Sequence, residues 1–170
     1  GISVNITTLI PAFKVEYFLE LLLCLRHQTV KPNRIIISDD SPGGDFLQAG
    51  KGEQFRRVTD GLDVELVEGP KRGHYANMRY LASRVSADTS YFHILCDDDL
   101  IYPEFYRMHL RSLSQSEANC SFSKRWVSLE SGQPAGVARF PEIIASSDRK
   151  FLFSESDLFF KSTLPACNNW

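Results

Sequence analysis

The sequence predicts an α/β fold with a mostly parallel central sheet and a mixed or antiparallel extension at its C-terminal end. Short apolar runs rich in β-branched residues alternate with longer segments whose apolar residues follow helical spacing. Such alternation is typical of βαβ units, whose strands lie parallel in one sheet. After Cys120 the residues alternate as in a strand and a turn sequence follows, which indicates antiparallel pairing.

The individual elements follow from the spacing of the apolar residues. Strands are expected at residues 4–10, 34–38, 63–67 and 91–96. Helices with one apolar face are expected at residues 15–28, 45–59, 75–86 and 103–114. The second of these helices is interrupted by Gly50 and Gly52, which have low helix propensity. Further strands are expected at residues 121–129, 137–140 and 158–161.

Composition limits the class of protein. The chain has 170 residues, and its 43% hydrophobic and 24% charged content is typical of a soluble globular domain with a core. The net charge of -2 argues against a nucleic-acid partner, because phosphate binding usually requires a basic surface. The apolar run 17–25 is too short to span a bilayer, which takes roughly 20 residues, and no signal-peptide pattern is present. We therefore expect a cytoplasmic protein, either free or peripheral at the inner membrane face.

The cysteines and one histidine are expected to be structural. The four cysteines are scattered and form no CxxC pair, so a zinc site is not expected. Cys24 and Cys96 lie in apolar runs, where we expect buried thiols in a reducing compartment. His93 lies within a predicted strand, and we expect a hydrogen-bonded structural side chain there rather than a ligand.

Three short segments follow predicted strands and are candidates for a binding site. Residues 11–13 follow the first strand, Asp39 and Asp40 follow the second, and the aspartates at 97–99 follow the fourth. Because parallel strands end at one edge of a sheet, we expect these segments to lie together where ligands bind.

Five carboxylates at one edge repel one another, so their pKa values should rise or their side chains should turn to water unless a cation lies among them. Mg²⁺ and Mn²⁺ bind oxygen ligands and are commonly shared between one or two carboxylates and a diphosphate. The pattern therefore favours a metal-dependent nucleotide site. Two alternatives stay open: Asp39 and Asp40 also suit a turn, and residues 97–99 also suit a solvated helix N-terminus.

The ordered set of motifs resembles the family 2 glycosyltransferases, which have the GT-A fold, a Rossmann-like three-layer α/β/α architecture. The resemblance covers residues 3–117, and a weaker continuation is present at residues 157–161. The matching segments are Ile10-Pro11-Ala12-Phe13, Glu16-Tyr17, Gln28-Thr29, residues 35–41, Gly73 with Asn77, and Cys96-Asp97-Asp98-Asp99 with Pro103.

The resemblance implies a role for each residue that matches the family pattern at the first two strand ends. Pro11, Ala12 and Phe13 would border the nucleoside of a nucleotide-diphosphate sugar. Asp40 would accept a hydrogen bond from the base, with Asp39 nearby.

The family's DxD-type motif would be filled by the aspartate triplet. Asp98 would contact the ribose, Asp99 would bind Mn²⁺ or Mg²⁺, and Asp97 would support or share that metal. Arg72 and Asn77 would lie near the uridine or the diphosphate. From the residues themselves, Arg72 belongs to a basic segment at 71–74 that suits either phosphate binding or a plain surface loop.

The implied function is metal-dependent hexosyl transfer. The donor would be a nucleotide-diphosphate sugar, and a UDP-sugar is the first expectation. The acceptor would be a saccharide or lipid-linked saccharide in cell-surface polysaccharide biosynthesis. Transfer would invert the anomeric configuration. The alternatives are a sugar nucleotidyltransferase, which needs a glycine-rich loop that residues 11–15 lack, and a fragment that binds donor without catalysis.

The sequence departs from the family pattern in two places. Lys14 stands where the family commonly has Asn after the aromatic residue. No segment matches the family's acidic catalytic base. Four acidic residues are candidates by charge alone, and Asp157 is the best of them. We therefore expect a single domain over 1–170, with a nucleotide-sugar half at 1–117, an incomplete acceptor half at 118–170 and a base beyond Trp170. The full set of charged candidates is Glu142, Asp148, Glu155 and Asp157.

Overall fold

A computed structural model describes residues 4–123, 126–128, 134–137 and 158–162. Its strands are β1 Ile6–Ala12, β2 Arg34–Asp39, β3 Val64–Glu68, β4 Tyr91–Ile94, β5 Cys120–Phe122, β6 Trp126–Ser128, β7 Pro134–Val137 and β8 Leu158–Lys161. Its helices are α1 Phe18–Arg26, α2 Asp45–Ala49, α3 Glu53–Thr59, α4 His74–Ser83 and α5 Phe105–Ser114, and a 3-10 turn, Val15–Tyr17, precedes α1.

The main sheet has the strand order β3-β2-β1-β4-β8-β5. Strands β3, β2, β1 and β4 are parallel to their neighbours, whereas β8 runs antiparallel to both β4 and β5. β6 and β7 form a separate antiparallel pair. The predicted fold class, a mostly parallel sheet with an antiparallel extension, is confirmed.

Helices cover both faces of the sheet, because β2 is apolar on both sides. Ile35 and Ile37 pack into a core with residues of α1, α2 and α5. Ile36, from the opposite face of the same strand, packs with Met78 and Leu81 of α4. Successive strand residues point to opposite faces, so a continuous run of isoleucines fills two cores and produces three layers.

β1 begins and ends two residues later than predicted, and this places Pro11 inside a strand. Ala12 O accepts from Asp40 N on the β2 side at 2.7 Å, and Leu9 O accepts from Leu95 N on the β4 side at 2.8 Å. The backbone groups of successive β1 residues therefore form hydrogen bonds alternately with the β2 side and the β4 side. By this alternation the backbone of Pro11 faces the β4 side. The pairing of β1 with β4 stops at Leu9, so the missing N–H of Pro11 costs no sheet hydrogen bond.

The predicted helix at 45–59 is wrong in its continuity, since α2 and α3 are separate helices. A Cβ on Gly50 would lie 2.5 Å from Leu66 Cδ2, so glycine lets the chain turn close against β3. The predicted strand at 121–129 is also two strands, one in each sheet, because the partner of β5 comes from the distant β8. The second strand after the turn is described at Pro134–Val137, and residues 138–140 of the predicted strand lie outside the described residues.

His93 is fully buried, and its Nδ1 lies 3.0 Å from the Tyr106 hydroxyl, which also bonds Thr8 Oγ1 at 2.5 Å. It is the structural strand histidine that the sequence predicts. Cys24 and Cys96 are only half-buried, which corrects the expectation that both thiols are buried. Cys24 lies at the margin of the core, and burial there raises the pKa of its thiol to about 11. Among the described helices, none has the length and apolar character that crossing a membrane requires.

Candidate functional site

The strand order creates a crevice beside β1. The chain moves outward from β1 to β2 and β3, and then returns to the other side of β1 to form β4. The direction in which strands are added reverses between β1 and β4, so the loops after these two strands diverge. Open α/β sheets bind ligands at such a point. We call the edge at which β1 to β4 have their C-terminal ends the carboxyl edge. The loops that follow these four strands carry the described site residues.

Asp97 joins the two loops that border this crevice. Its Oδ2 accepts hydrogen bonds from the backbone N–H groups of Phe13 and Lys14, each at 2.6 Å, and the residue is buried. Asp97 lies shortly after the end of β4, and its two hydrogen bonds thus fix the path of the chain after β1. This oxygen is committed to the backbone, so a share of Asp97 in metal binding would fall to its other oxygen.

Asp98 and Asp99 face a different environment. Asp98 is exposed and Asp99 is half-buried, and Asp99 N donates to Cys96 O at 3.2 Å in a tight turn. The chain beyond is held by Gln28, whose Nε2 donates to Tyr102 O at 2.6 Å. The buried Gln28 therefore positions the aspartate loop from the end of α1.

Asp39 is a structural carboxylate. It is fully buried, and it accepts hydrogen bonds from Ser41 N, Ser41 Oγ, Phe46 N and Leu47 N between 2.6 and 3.0 Å. These donors include the first backbone N–H groups of α2, which have no partners inside the helix. Asp39 thus shapes the turn after β2, as the turn interpretation expected. Its predicted place beside the nucleotide stays a prediction.

Asp40 organises the loop after β3. Its Oδ1 accepts from Lys71 N at 2.5 Å, while its second oxygen has no partner among the described residues. Lys71 has a positive φ of 55°, an uncommon conformation for a residue other than glycine. A Cβ on Gly69 would lie 2.6 Å from Asp40 Oδ1. The carboxylate therefore fits against this loop only because residue 69 is glycine.

Asn77 and Arg72, the two residues predicted to lie near the uridine or the diphosphate, differ in exposure. Asn77 is buried, and it bonds Ser38 through both ends of its amide, with Oδ1 2.5 Å from Ser38 Oγ and Nδ2 3.2 Å from Ser38 O. It joins α4 to β2. Arg72 is exposed in the preceding loop. The structure thus places Arg72 in the loop between β3 and α4 and Asn77 within α4, and their predicted contacts with the diphosphate or uridine stay predictions.

The segment at the end of β1 offers one large exposed side chain. Pro11 and Ala12 are buried within the strand, whereas Phe13 is 57% exposed. Of the three residues predicted to border the nucleoside, Phe13 is thus the one able to present a ring to a ligand.

The carboxyl edge offers few carboxylates that could hold a cation. No group of three or more His, Cys, Asp or Glu side chains within the described ranges is arranged to hold a metal ion. Mg²⁺ typically takes one or two carboxylates together with substrate phosphates and water, so two aspartates suffice. Backbone N–H groups already compensate the charges of Asp39 and Asp97. Asp98 and Asp99 are the carboxylates that fit a cation best.

Sequence reasoning missed Gly69, Lys71 and Gln28 as the groups that position the aspartates. The signal for Gly69 was present, since this glycine directly follows β3 as Asp40 directly follows β2, and the last residues of the two strands, Glu68 and Asp39, are paired. Its contact with Asp40 depends on the pairing of β2 with β3. The candidate catalytic bases Glu142, Asp148, Glu155 and Asp157 lie outside the described residues.

Comparison with known proteins identifies the family. A model of glycosyl transferase family 2 matches residues 7–163. The chain belongs to glycosyl transferase family 2. This match spans all the described elements from β1 to β8, so it covers the antiparallel extension as well as the parallel strands. No curated protein sequence matches the chain.

This family 2 chain is similar in structure to S. aureus TarS 1-349, with a TM-score of 0.62 and 12% identity over 92% of this chain and 47% of TarS 1-349. TarS 1-349 in complex with UDP-GlcNAc matches 68% of this chain and 33% of its own, with a TM-score of 0.51 and 16% identity. A third similar structure is 4-diphosphocytidyl-2C-methyl-D-erythritol synthase from Anaerococcus prevotii DSM 20548, with a TM-score of 0.54 and 9% identity over 93% of this chain and 70% of that one.

At these identities the likeness shows the fold. The chain spans about half the length of TarS 1-349.

Proposed function

We propose that this family 2 chain binds a UDP-sugar at the carboxyl edge and transfers the sugar, with inversion, to a saccharide or lipid-linked saccharide. The setting we propose is cell-surface polysaccharide synthesis on the cytoplasmic side of the membrane. Family membership supports sugar transfer in general, and the complexes of TarS with UDP and UDP-GlcNAc make a UDP-sugar the first donor to test.

The observation that carries the proposal is that the aspartates of the carboxyl edge differ in their hydrogen-bond partners and in their exposure. The carboxylate of Asp39 and one oxygen of Asp97 are saturated by backbone and hydroxyl donors. The second oxygen of Asp40 is available, and Asp98 is exposed. One carboxylate oxygen on the β2 side and two carboxylates on the β4 side match a ligand with a base at one end and a diphosphate at the other.

Each of these groups has a role in this proposal. The second oxygen of Asp40 accepts an N–H of the base, Phe13 covers the nucleoside, and Asp98 accepts a ribose hydroxyl. Asp99, with Asp98 beside it, holds Mn²⁺ or Mg²⁺. When bound, such an ion stabilises the negative charge that develops on the diphosphate leaving group.

Transfer also requires a base for the acceptor hydroxyl. In an inverting reaction this group takes the hydroxyl proton while the oxygen attacks the anomeric carbon and the bond to the diphosphate breaks. General-base catalysis typically contributes 10²–10⁴-fold. Among the charged candidates, Asp157 is our candidate for this group, because of its charge and its place before β8 in the sequence.

The first test of the proposal is titration calorimetry of UDP with and without the metal. We expect clear binding in Mn²⁺ or Mg²⁺ and much weaker binding in EDTA, because Asp98 and Asp99 repel a bare diphosphate. Asp99→Asn should reduce the difference between the two conditions, while Asp88→Asn, an exposed aspartate before β4, should not change it. Equal UDP affinity in metal and in EDTA would remove the metal from the proposal, and no UDP binding in either would remove the donor.

A further inference from the structure

We propose that Lys14 binds the diphosphate of the donor and is a specificity-determining residue of this site. The inference rests on the proposed function and deepens it, because it names the group that balances the charge left over by the metal. Lys14 stands where the resemblance led us to expect asparagine, so the side chain is a particular feature of this chain.

The backbone position of Lys14 is fixed beside the aspartate loop. Its N–H donates to Asp97 Oδ2 at 2.6 Å, in parallel with the N–H of Phe13. The residue therefore lies at the crevice between the β1 and β4 loops, in contact with Asp97, which Asp98 and Asp99 follow in the sequence. A lysine side chain extends its ammonium group on a flexible four-carbon stem with three donors, so it can reach a phosphate placed in that crevice.

The side chain of Lys14 is also unengaged. It is exposed and makes no ion pair or hydrogen bond with a described residue. By contrast, Lys71 Nζ, at the end of β3, lies 3.4 Å from Glu68 Oε1. Arg72 is exposed in the same loop as Lys71, two strands away from the β1 loop. Lys14 is therefore the unpaired lysine in the loop that Asp97 holds.

The charges of the site require such a cation. A divalent ion held by Asp98 and Asp99 cancels the two carboxylate charges, and the charge of the diphosphate itself then remains. Leaving that charge unbalanced in a crevice is unfavourable, since the interaction between charges is stronger near protein than in bulk water. An ammonium group at Lys14 offsets part of that charge and donates hydrogen bonds to phosphate oxygens.

This arrangement has a consequence that asparagine at the same position would not have. An amide can donate to a phosphate, but it adds no charge. With Lys14, part of the attraction to the diphosphate persists when the metal is removed, so residual UDP binding in EDTA should depend on Lys14.

The test compares Lys14→Met with the unaltered chain in titrations with UDP, UMP and uridine. Binding is monitored by ligand-observed NMR, once in a Mg²⁺ buffer without Mn²⁺ and once in EDTA. Lys14→Met keeps the backbone N–H that Asp97 accepts. We expect UDP to bind about tenfold more weakly, the loss of one charged hydrogen bond, and uridine to bind unchanged. Lys14→Arg should retain most of the UDP affinity. Lys51→Met, at an exposed lysine between α2 and α3, should change neither ligand.

The outcomes separate the inference from the function on which it rests. UDP affinity that is unchanged in Lys14→Met would overturn the inference and leave UDP-sugar binding standing. An equal loss for uridine and UDP would also overturn it, because the effect would then arise at the nucleoside or through the fold. Failure of the unaltered chain to bind UDP would instead count against the proposed function.

Discussion

The side chains of Asp39 and Asp40 are neighbours in sequence, but their carboxylates meet different partners. Asp39 faces inward to the start of α2 and receives four hydrogen bonds. Asp40 receives one, from Lys71 N, and keeps its second oxygen. The turn, which the sequence offers as one interpretation of this pair, is thus formed by Asp39, and Asp40 keeps an oxygen for the ligand that we propose.

We expect the two alanine variants to separate stability from binding. Asp39→Ala should lower the free energy of unfolding by about 3 kcal/mol or more, because several buried donors lose a charged acceptor. Asp40→Ala should weaken UDP binding by about 1.5–3 kcal/mol, the range for hydrogen bonds to charged groups, with a smaller loss of stability. Urea unfolding and calorimetry measure the two quantities.

Asp63→Ala provides the control for both measurements, since Asp63 is exposed at the opposite edge of the sheet, just before β3. It should change neither quantity appreciably. Stable Asp39→Ala protein with lost UDP binding would mean that Asp39 contacts the ligand and that the structural role we give it is wrong.

Among the connections between elements, the loop from β3 to α4 depends on the absence of a side chain at Gly69. We expect Gly69→Ala to weaken UDP binding by a similar amount to Asp40→Ala, because the new Cβ would lie 2.6 Å from Asp40 Oδ1 and displace the carboxylate. Gly50→Ala is the matched control. There the Cβ would meet the flexible end of Leu66 rather than an aspartate, so binding should be retained. Unchanged UDP affinity in Gly69→Ala would contradict the positioning role of this loop.

The packing of α5 against β5 contains a buried histidine. His109 Nδ1 lies 2.5 Å from Ser121 Oγ, while Nε2 has no hydrogen-bond partner among the described residues. Burial lowers the pKa of His109 from its ordinary 6.5 to about 4. The unfolded chain therefore takes up a proton at higher pH than the folded chain does.

The sign of this effect makes acid destabilising. The contribution of neutral His109 to stability is complete above pH 6.5 and is lost as the pH falls towards 4. The loss has a slope of up to ~1.4 kcal/mol per pH unit. His109→Phe should reduce the slope of unfolding free energy against pH in this window, whereas His27→Gln, at an exposed histidine, should leave it as it is. Identical slopes in all three proteins would show that His109 does not titrate as we describe.

Across the whole molecule, the C-terminal strand completes the sheet that the first part of the chain begins. β8 pairs with β4 from Tyr91↔Lys161 to His93↔Phe159, and it also pairs with β5. Phe159 is fully buried in the same core as residues of β1, β2 and α1, and its ring stacks on Tyr91 with centroids 5.4 Å apart. The single domain predicted for the chain should therefore unfold as one unit.

Phe159→Ala tests this cooperativity. We expect it to lower the free energy of unfolding by about 3–5 kcal/mol, the usual cost of removing a buried phenylalanine. Tryptophan fluorescence and far-UV circular dichroism should still report one common midpoint. Phe122→Ala, on β5 with a side chain 40% exposed, should cost much less. Separate midpoints for the two probes would argue for two independently folding parts.

The sequence by itself determined the fold class and the general place of the site. Short apolar runs are recognisable without their neighbours, and strands joined by helices form a parallel sheet, so polar residues at strand ends must share an edge. The aspartates after β2 and β4 were found in this way. The signals are local, because each depends on residues adjacent along the chain.

Only the tertiary structure decided which hydrogen-bond partners Asp39, Asp40 and Asp97 have. The partners of Asp39, Asp40 and Asp97 are backbone N–H groups whose positions depend on strand pairing and loop paths, and no local pattern specifies them. The same reason explains the split of residues 121–129 between two sheets, since β5 is selected by β8, which lies far along the chain. Hydrogen bonds and sheet partners between distant segments exist only once the chain has folded, and they assign each carboxylate its task.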